Sequence, residues 1–215
     1  MNPTLDDITR DALLRRSLDG DASAFWRLIE PHRQMIFATS LGVTRDPEKA
    51  EDIAHDVYIR AFSTLGNLRT NSRLAGWLHT MARNISYEHL RKSDRDARFA
   101  EKPQPSPPPV ISVPDMLVRE QDLSLLGEAM ADLPEPHRIV LGFKYLNNMS
   151  CREISDTLGI GVEAAKSRLF EARKALRARM KAAEEKSAAP HSPAAAARGV
   201  QNPPQSGVEK KVLES

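Results

Sequence analysis

The chain has 215 residues, of which 40% are hydrophobic and 28% charged, and this allows one or two small globular domains. The formal net charge is only +2, so any affinity for nucleic acid requires positive charge concentrated on one surface. Its single cysteine, Cys151, excludes an internal disulfide and a multi-cysteine metal site and fits a reducing compartment. No apolar run approaches the roughly 20 residues that cross a bilayer, and the acidic N-terminus is unlike a signal peptide, so we expect a cytoplasmic protein without membrane insertion.

The first predicted domain spans residues 14–95 and is all helix. Apolar residues from Phe25 to Phe37 predict a helix that Gly42 ends. The pair Asp46-Pro47 predicts the start of a second helix, because proline is favoured in a first helical turn. The buried stripe of this second helix is predicted to be Ala50, Ile53, Ala54, Val57 and Ala61. Its acidic residues are Asp46, Glu48, Glu51, Asp52 and Asp56.

A third helix is predicted from about Ser72 to Arg91. Its buried stripe is predicted to be Leu74, Leu78, Met81 and Ile85, with Trp77 at the edge. A neighbouring face of the same helix combines arginine, amide and aromatic side chains, namely Arg73, Thr80, Asn84, Tyr87 and Arg91. Because such groups bind phosphates and stack on unpaired bases, this face is a candidate single-strand surface.

Residues 96–118 are predicted to be a linker, because six prolines between Lys102 and Asp115 exclude a helix and favour polyproline II. About 20 residues at about 3.1 Å each would reach tens of ångströms, either along a partner's surface or as a simple tether. Residues 187–215 have too few large apolar side chains to offset their ordering entropy, so we expect a disordered C-terminal tail.

The second predicted domain spans residues 119–181 and contains a helix-turn-helix. Ser150, with Glu153 three residues later, predicts a capped start of its first helix, and Gly159 predicts the end. The apolar stripe of the following helix is predicted to be Val162, Ala165, Leu169, Ala172, Leu176 and Met180. From Lys166 to Lys181 this helix carries seven basic residues and one acidic residue, a surface that suits phosphates.

Simpler interpretations stay open for individual features. A basic amphipathic helix can be a solvated face or can bind a protein or an anionic membrane, although the preceding helix and glycine turn favour DNA. The acids and histidine of the second helix suggest a metal site, but no matching ligands are predicted on another helix. The chain has no phosphate-binding glycine loop, no G-x-S-x-G and no H-E-x-x-H, so we expect no catalytic residues, no metal and no cofactor.

Several segments together resemble one family. The segments DPEKAEDIAHDVYIRAF, LAGWLHTMARN, LPEPHRIVLGFKYLNNMSCREISDTLGI and AAKSRLFEARKAL, with a proline-rich spacer between the second and third, resemble the extracytoplasmic-function (ECF) sigma factors of bacterial RNA polymerase. This resemblance implies two small all-α domains in a subunit that directs core polymerase to promoters and aids promoter melting. It implies core polymerase and promoter DNA as partners and makes an anti-sigma protein a candidate partner.

The same resemblance implies three functional surfaces. The acidic helix would dock on the clamp helices of the largest polymerase subunit through Asp52, Asp56, Ile59 and Arg60. The minus-ten strand would be captured by a loop with Arg69, Asn71 and Ser72 and by helix contacts at Trp77, Arg83 and Asn84, although Trp77 also suits core packing. The minus-thirty-five element would be read by Glu163, Lys166, Ser167 and Phe170 near base edges and by Arg168, Arg173 and Lys174 near phosphates.

The alternative is a classical helix-turn-helix regulator that binds duplex operator DNA without polymerase. Such a regulator needs no acidic docking helix followed by a base-capture helix, so the order of segments favours the sigma factor. The capture loop and the first turn of the last helix both depart from the family's usual residues, and the sequence therefore does not predict which promoter is read.

Overall fold

The computed structural model describes residues 7–68, 73–99 and 120–188, and the regular elements in these ranges are all helical. The predicted all-α class is therefore confirmed. None of the helices in these ranges is both long and apolar enough to cross a membrane. In chain order the helices are α1 (Asp7–Leu18), α2 (Ala22–Ile29), α3 (Arg33–Thr44), α4 (Pro47–Thr64), α5 (Leu74–Phe99), α6 (Glu120–Ala131), α7 (Glu135–Tyr145), α8 (Cys151–Leu158) and α9 (Val162–Ala188).

Helices α1–α5 form the N-terminal module, in which α3 packs against both α4 and α5 while α1 pairs with α2. The start of α4 is as predicted, because Asp46 is the N-cap and accepts a hydrogen bond from the Lys49 backbone N–H at 3.2 Å, with Pro47 at the first helical position. The predicted stripe of α4 is buried throughout. In α5, the side chains of Leu74, Leu78 and Ile85 are buried as predicted.

The predicted single helix from Phe25 to Gly42 is wrong. The structure has two helices, α2 and α3, joined by a 3-10 turn at Glu30–His32. Pro31 explains the break, since proline lacks the backbone N–H of a continuing helix and clashes with the preceding turn. Gly42 lies inside α3, and the helix ends instead at Arg45, which donates the last helical hydrogen bond from its N–H to the Leu41 carbonyl and then leaves the helix with a left-handed φ of 60°.

Helices α6–α9 form the C-terminal module, in which α6, α7 and α8 all pack on α9. The predicted capping of α8 is confirmed: Glu153 N–H donates to Ser150 Oγ at 3.2 Å, and Ser150 N–H donates to Glu153 Oε2 at 2.7 Å. Gly159 ends α8 with a left-handed φ of 65°. Serine, glutamate and glycine thus set both limits of this helix.

Parts of the predicted stripes and boundaries are wrong. Ala165, Leu169 and Ala172 are buried as predicted. Val162, the first residue of α9, is 38% exposed, and Leu176 and Met180 are only partly buried. Met81 is only partly buried. Helix α5 continues to Phe99, inside the predicted linker, and α9 continues to Ala188, inside the predicted tail. Both helices extend further than predicted because the first strong helix breakers after them are Pro103 and Pro190. Residues 100–119 and 189–215 lie outside the described ranges.

The two modules pack against each other, which the predicted linker did not indicate. Helix α3 lies along α7, and α5 contacts α8. Glycines permit the close approach: a Cβ atom on Gly42 would lie 2.7 Å from Ile139 Cγ1, and one on Gly142 would lie 3.2 Å from Ala38 Cβ. Between α5 and α8, a Cβ on Gly76 would lie 3.2 Å from the Thr157 carbonyl oxygen. Residues from both modules therefore share one continuous core.

Candidate protein and nucleic-acid interfaces

The side of α4 opposite its buried stripe carries the predicted docking residues. Asp52, Asp56, Ile59 and Arg60 are all exposed, and we call them the docking face of α4. Ile59 is 71% exposed, so a large apolar side chain lies at the surface between charged residues. The structure thus places an aliphatic side chain beside acids on a surface that the described residues leave uncovered.

Two contacts tie this docking face to α5. Asp56 Oδ2 lies 2.8 Å from His89 Nε2, and Arg60 Nη1 lies 3.2 Å from Glu88 Oε2. All four side chains are substantially exposed, so each pair contributes at most about 1 kcal/mol to stability. A charged partner can therefore compete for these groups at little cost. Within the described ranges, no three His, Cys, Asp or Glu side chains converge as metal ligands would.

An aromatic cluster that the sequence patterns did not predict lies beside the docking face. Trp26 on α2 packs edge-on against Tyr58 of α4 at 5.4 Å between ring centroids, and Phe62 packs similarly against Phe25 at 5.0 Å. Trp26 is 47% exposed and Phe62 is 39% exposed. Phe62 shares a face with Ile59, three residues earlier. Adjacent helical residues point in different directions, so the pair Phe25-Trp26 already signalled that one ring faces outward.

Only some of the predicted minus-ten residues on α5 are exposed to solvent. Trp77 is partly buried against the core, whereas Arg83 and Asn84 are exposed. Together with Thr80 and Tyr87 they share one side of the helix, which we call the strand face of α5. The predicted loop residues Arg69, Asn71 and Ser72 lie outside the described ranges. The structure therefore brings together the helix contacts alone.

A carboxylate from the C-terminal module binds the strand face. Arg83 Nε donates to Glu135 Oε1 at 2.8 Å, and Tyr87 Oη donates to Glu135 Oε2. The Arg83 guanidinium also stacks over the Tyr87 ring at 5.2 Å. Burial alone would raise the pKa of Glu135, but the hydrogen bonds from Tyr87 and Arg83 hold this pKa below its ordinary value. Glu135 is therefore ionised at neutral pH and neutralises a base-binding candidate.

The outer surface of α9 is open along its first turns. Glu163, Lys166, Ser167, Phe170 and Lys174 are exposed, and we call them the reading face of α9. The Phe170 ring is 64% exposed. The predicted phosphate contacts Arg168 and Arg173 are partly buried; Arg173 Nε donates to Tyr145 Oη at 3.0 Å. Exposed cationic and aromatic groups on a helix that follows a tight turn match the needs of a major-groove reader.

Comparison with known families agrees with this arrangement. The Sigma-70 region 2 family matches residues 28–96, which cover most of the N-terminal module. The Sigma-70, region 4 family matches residues 123–176, which cover α6, α7, α8 and the first half of α9. The docking face and the described strand face lie within the first match, and the reading face lies within the second.

Individual relatives cover most of the chain. The ECF RNA polymerase sigma factor SigL of Mycobacterium tuberculosis is 31% identical over 158 residues, covering 73% of this chain and 89% of SigL. The ECF RNA polymerase sigma factor SigW of Bacillus subtilis is 26% identical, covering 75% of this chain and 91% of SigW. The sigma factor RpoE of Bartonella quintana, solved with the anti-sigma factor NepR, shares the fold at a TM-score of 0.53 and 22% identity, covering 73% of this chain and 96% of RpoE.

Both modules match in the order that a sigma factor requires, and the identity to SigL extends over nearly all of that protein. The chain therefore belongs to the extracytoplasmic-function sigma factors of bacterial RNA polymerase.

Proposed function

We propose that three separate surfaces of this ECF sigma factor perform its work in transcription initiation. The docking face of α4 binds core polymerase, the strand face of α5 holds the opened minus-ten strand, and the reading face of α9 reads the minus-thirty-five duplex. The observation that carries this assignment is the exposed apolar patch of Ile59, Phe62 and Trp26 beside the acids of α4, because exposed apolar patches with a polar rim mark protein interfaces.

The composition of the docking face supports a basic protein partner. Asp52 and Asp56 supply negative charge, and Ile59, with the neighbouring rings of Phe62 and Trp26, supplies apolar area. Protein interfaces that combine an apolar centre with charged neighbours gain affinity from the first and orientation from the second. The clamp helices of the largest polymerase subunit are the partner that the resemblance implies for this surface.

The two DNA-binding surfaces differ in chemistry as their targets do. The strand face of α5 offers Arg83, Asn84 and an aromatic ring, groups that bind the backbone and stack on unpaired bases. The reading face of α9 offers lysines and short polar groups on a helix at the turn of a helix-turn-helix, which suits base edges in the major groove. Arg168 and Arg173 lie beside it, where phosphates would lie.

The proposed role asks for no chemistry from this chain, because polymerase itself forms the phosphodiester bonds. We therefore propose a non-catalytic subunit that acts in the cytoplasm with polymerase. The RpoE relative is held by an anti-sigma factor, which supports the prediction that a protein of that class binds this chain as well.

Reconstitution with core polymerase tests the proposal directly. Purified protein is expected to co-elute with core polymerase and to allow transcripts that core polymerase alone does not start. The double variant Asp52→Lys and Asp56→Lys should weaken co-elution at least about tenfold, since two attractive contacts become repulsive.

The matched control is Asp94→Lys with Asp96→Lys, which reverses two exposed charges on α5 outside the docking face. This control should leave co-elution unchanged. Equal loss in the two double variants would mean that net charge, and not the docking face, governs the association. Unchanged co-elution of the α4 variant would place the polymerase contact elsewhere.

A further inference from the structure

We propose that Tyr145, at the end of α7, holds Arg173 of α9 ready for one phosphate of the minus-thirty-five duplex and donates a hydrogen bond of its own to that phosphate. We call Tyr145 and Arg173 the phosphate clamp. This inference rests on the proposed role of the reading face of α9 and extends it to a neighbouring helix. Tyr145 is a positioning residue for Arg173 and the second donor of the clamp.

One hydrogen bond between two helices holds the clamp together. Arg173 Nε donates to Tyr145 Oη at 3.0 Å. Arg173 Cζ lies 5.6 Å from the centroid of the Tyr145 ring, close to the outer limit of about 6 Å for a cation–π contact, so the hydrogen bond is the main contact. Because the phenol oxygen accepts this bond with a lone pair, its own O–H can still donate. A phosphate oxygen accepts from both a hydroxyl and a guanidinium.

The tyrosine fixes Arg173 without cancelling its charge. Elsewhere in the described ranges, Arg16, Arg60 and Arg83 each bind a carboxylate, which neutralises the guanidinium. A phenol is neutral, so the full positive charge of Arg173 remains available for an anion. None of the residues three or four positions from Arg173 on α9 is acidic; they are Leu169, Phe170, Leu176 and Arg177.

The clamp lies along one edge of the reading face. Successive residues of a helix are about 100° apart, so Arg173 lies within about 20° of Lys166, whereas Arg168 lies about 140° away, on the other edge. The major groove is about 12 Å wide and a helix with its side chains is about 10–12 Å across, so each edge of the helix faces one phosphate backbone. The clamp therefore faces one DNA strand, and Arg168 faces the other.

Tyr145 is accessible and yet fixed in place. It is 63% exposed and is the last residue of α7, two residues after the completely buried Phe143. The following turn is tied back to the helix, because Met149 N–H donates to the Phe143 carbonyl at 3.0 Å. With its partner on a fixed backbone, Arg173 loses little side-chain freedom when it binds a phosphate.

Removal of one hydroxyl tests the clamp. The measurement is the affinity of the full-length protein with core polymerase for a labelled duplex that spans the minus-thirty-five region of a promoter from which wild type initiates. Tyr145→Phe keeps the ring but should bind about three- to tenfold more weakly, since it loses one donor and the prior ordering of Arg173. The urea midpoint of unfolding should not change, because the lost bond is exposed. Unchanged affinity overturns the inference.

A pair of double variants tests whether Tyr145 acts through Arg173. In the Arg173→Gln background, Tyr145→Phe should weaken binding further by less than about twofold. Arg177→Gln is the matched control, since it removes the same exposed charge one turn later on α9. In that background Tyr145→Phe should keep its full effect. Full effects in both backgrounds would mean that the two clamp residues act separately.

Replacement of single phosphates by neutral methylphosphonates locates the clamp on the DNA. At one position on one strand, the replacement should weaken wild type but affect Tyr145→Phe and Arg173→Gln little. Arg168→Gln should be insensitive at a position on the opposite strand. If Tyr145→Phe were weaker than wild type by the same factor on every duplex, its role would be structural and the inference would be wrong.

The wild-type protein separates this inference from the proposed function. If core polymerase with wild type bound the duplex no better than core polymerase alone, the proposed role of the reading face would be wrong, and the clamp would fall with it. If wild type bound the duplex tightly and Tyr145→Phe bound it equally well, the clamp alone would be refuted.

Discussion

Glu135 and Arg138 lie one turn apart on α7 and bring opposite charges to the contact between the modules. Their partners, Arg83 and the Gly42 carbonyl, lie 52 and 96 residues away in sequence. An acid in the first turn of a helix is favourable in any protein, because it complements the helix dipole. Nothing local in the sequence therefore marked Glu135 as part of a functional surface.

His79 gives this contact a dependence on pH. Its Nδ1 lies 3.1 Å from Thr39 Oγ1, and its ring meets Phe143. Burial lowers the pKa of His79 to about 4, helped by the charge of Arg83 and opposed by that of Glu135. Burial also lowers the pKa of His32 to about 4. Each histidine is neutral in the folded protein and must gain a proton as the structure is lost in acid.

We expect stability to fall as pH falls from about 6.5 towards 4, because the unfolded chain binds the protons that the folded chain excludes. The lowered pKa of His79 corresponds to a loss of as much as about 3 kcal/mol of unfolding free energy in acid. His79→Gln should remove roughly half of the loss that the two histidines cause, and His32→Gln the other half. Urea unfolding at pH 7 and pH 4.5 measures the loss of stability in acid. If His79→Gln lost as much unfolding free energy as the wild type, the role of His79 would be refuted.

At the level of helices, local chemistry was the most reliable guide. Asp46-Pro47 at the start of α4 and Ser150, Glu153 and Gly159 around α8 all act as their residue types predict. The errors came from a missed proline break at Pro31 and from helices that continue until a strong breaker occurs. The orientation of side chains on α2, and with it the aromatic cluster, depended on neighbours that no local pattern specifies.

The cap of α8 gives a prediction about stability. Ser150→Ala removes the side-chain acceptor for the Glu153 N–H and should lower the free energy of unfolding by about 1 kcal/mol. Ser167→Ala, in the exposed interior of α9, should change it by less than about 0.5 kcal/mol. Chemical denaturation of both variants distinguishes a lost cap from a general effect of removing a serine hydroxyl.

At the level of the whole molecule, the sequence predicted two modules and a binding role for each, but it did not predict that the modules contact each other. The small residues that permit the contact have other local explanations: Gly42 was interpreted as a helix end and is in fact where Ile139 packs. The resemblance to a family supplied the three surfaces residue by residue. The placement of Arg69, Asn71 and Ser72 stays a prediction, since they lie outside the described ranges.

A wedge in this contact should open the molecule. Gly42→Leu would push a side chain into Ile139 and its backbone, so small-angle scattering should show the radius of gyration rise by about 10% or more. Gly66→Leu is the control, because a Cβ there meets nothing within 4 Å. Circular dichroism checks that helices persist in both. An unchanged radius in Gly42→Leu would mean that the modules do not rely on this packing.

The exposure of Ile59 has a consequence for the order of events. Because the docking face of α4 is exposed while the modules are packed together, the proposed association with polymerase needs no prior rearrangement of the helices. Association would then be a simple bimolecular step, whose observed rate rises in proportion to the polymerase concentration. The free protein would be ready for the enzyme at every encounter, so diffusion and the charges near Ile59 would set the rate at which the complex forms.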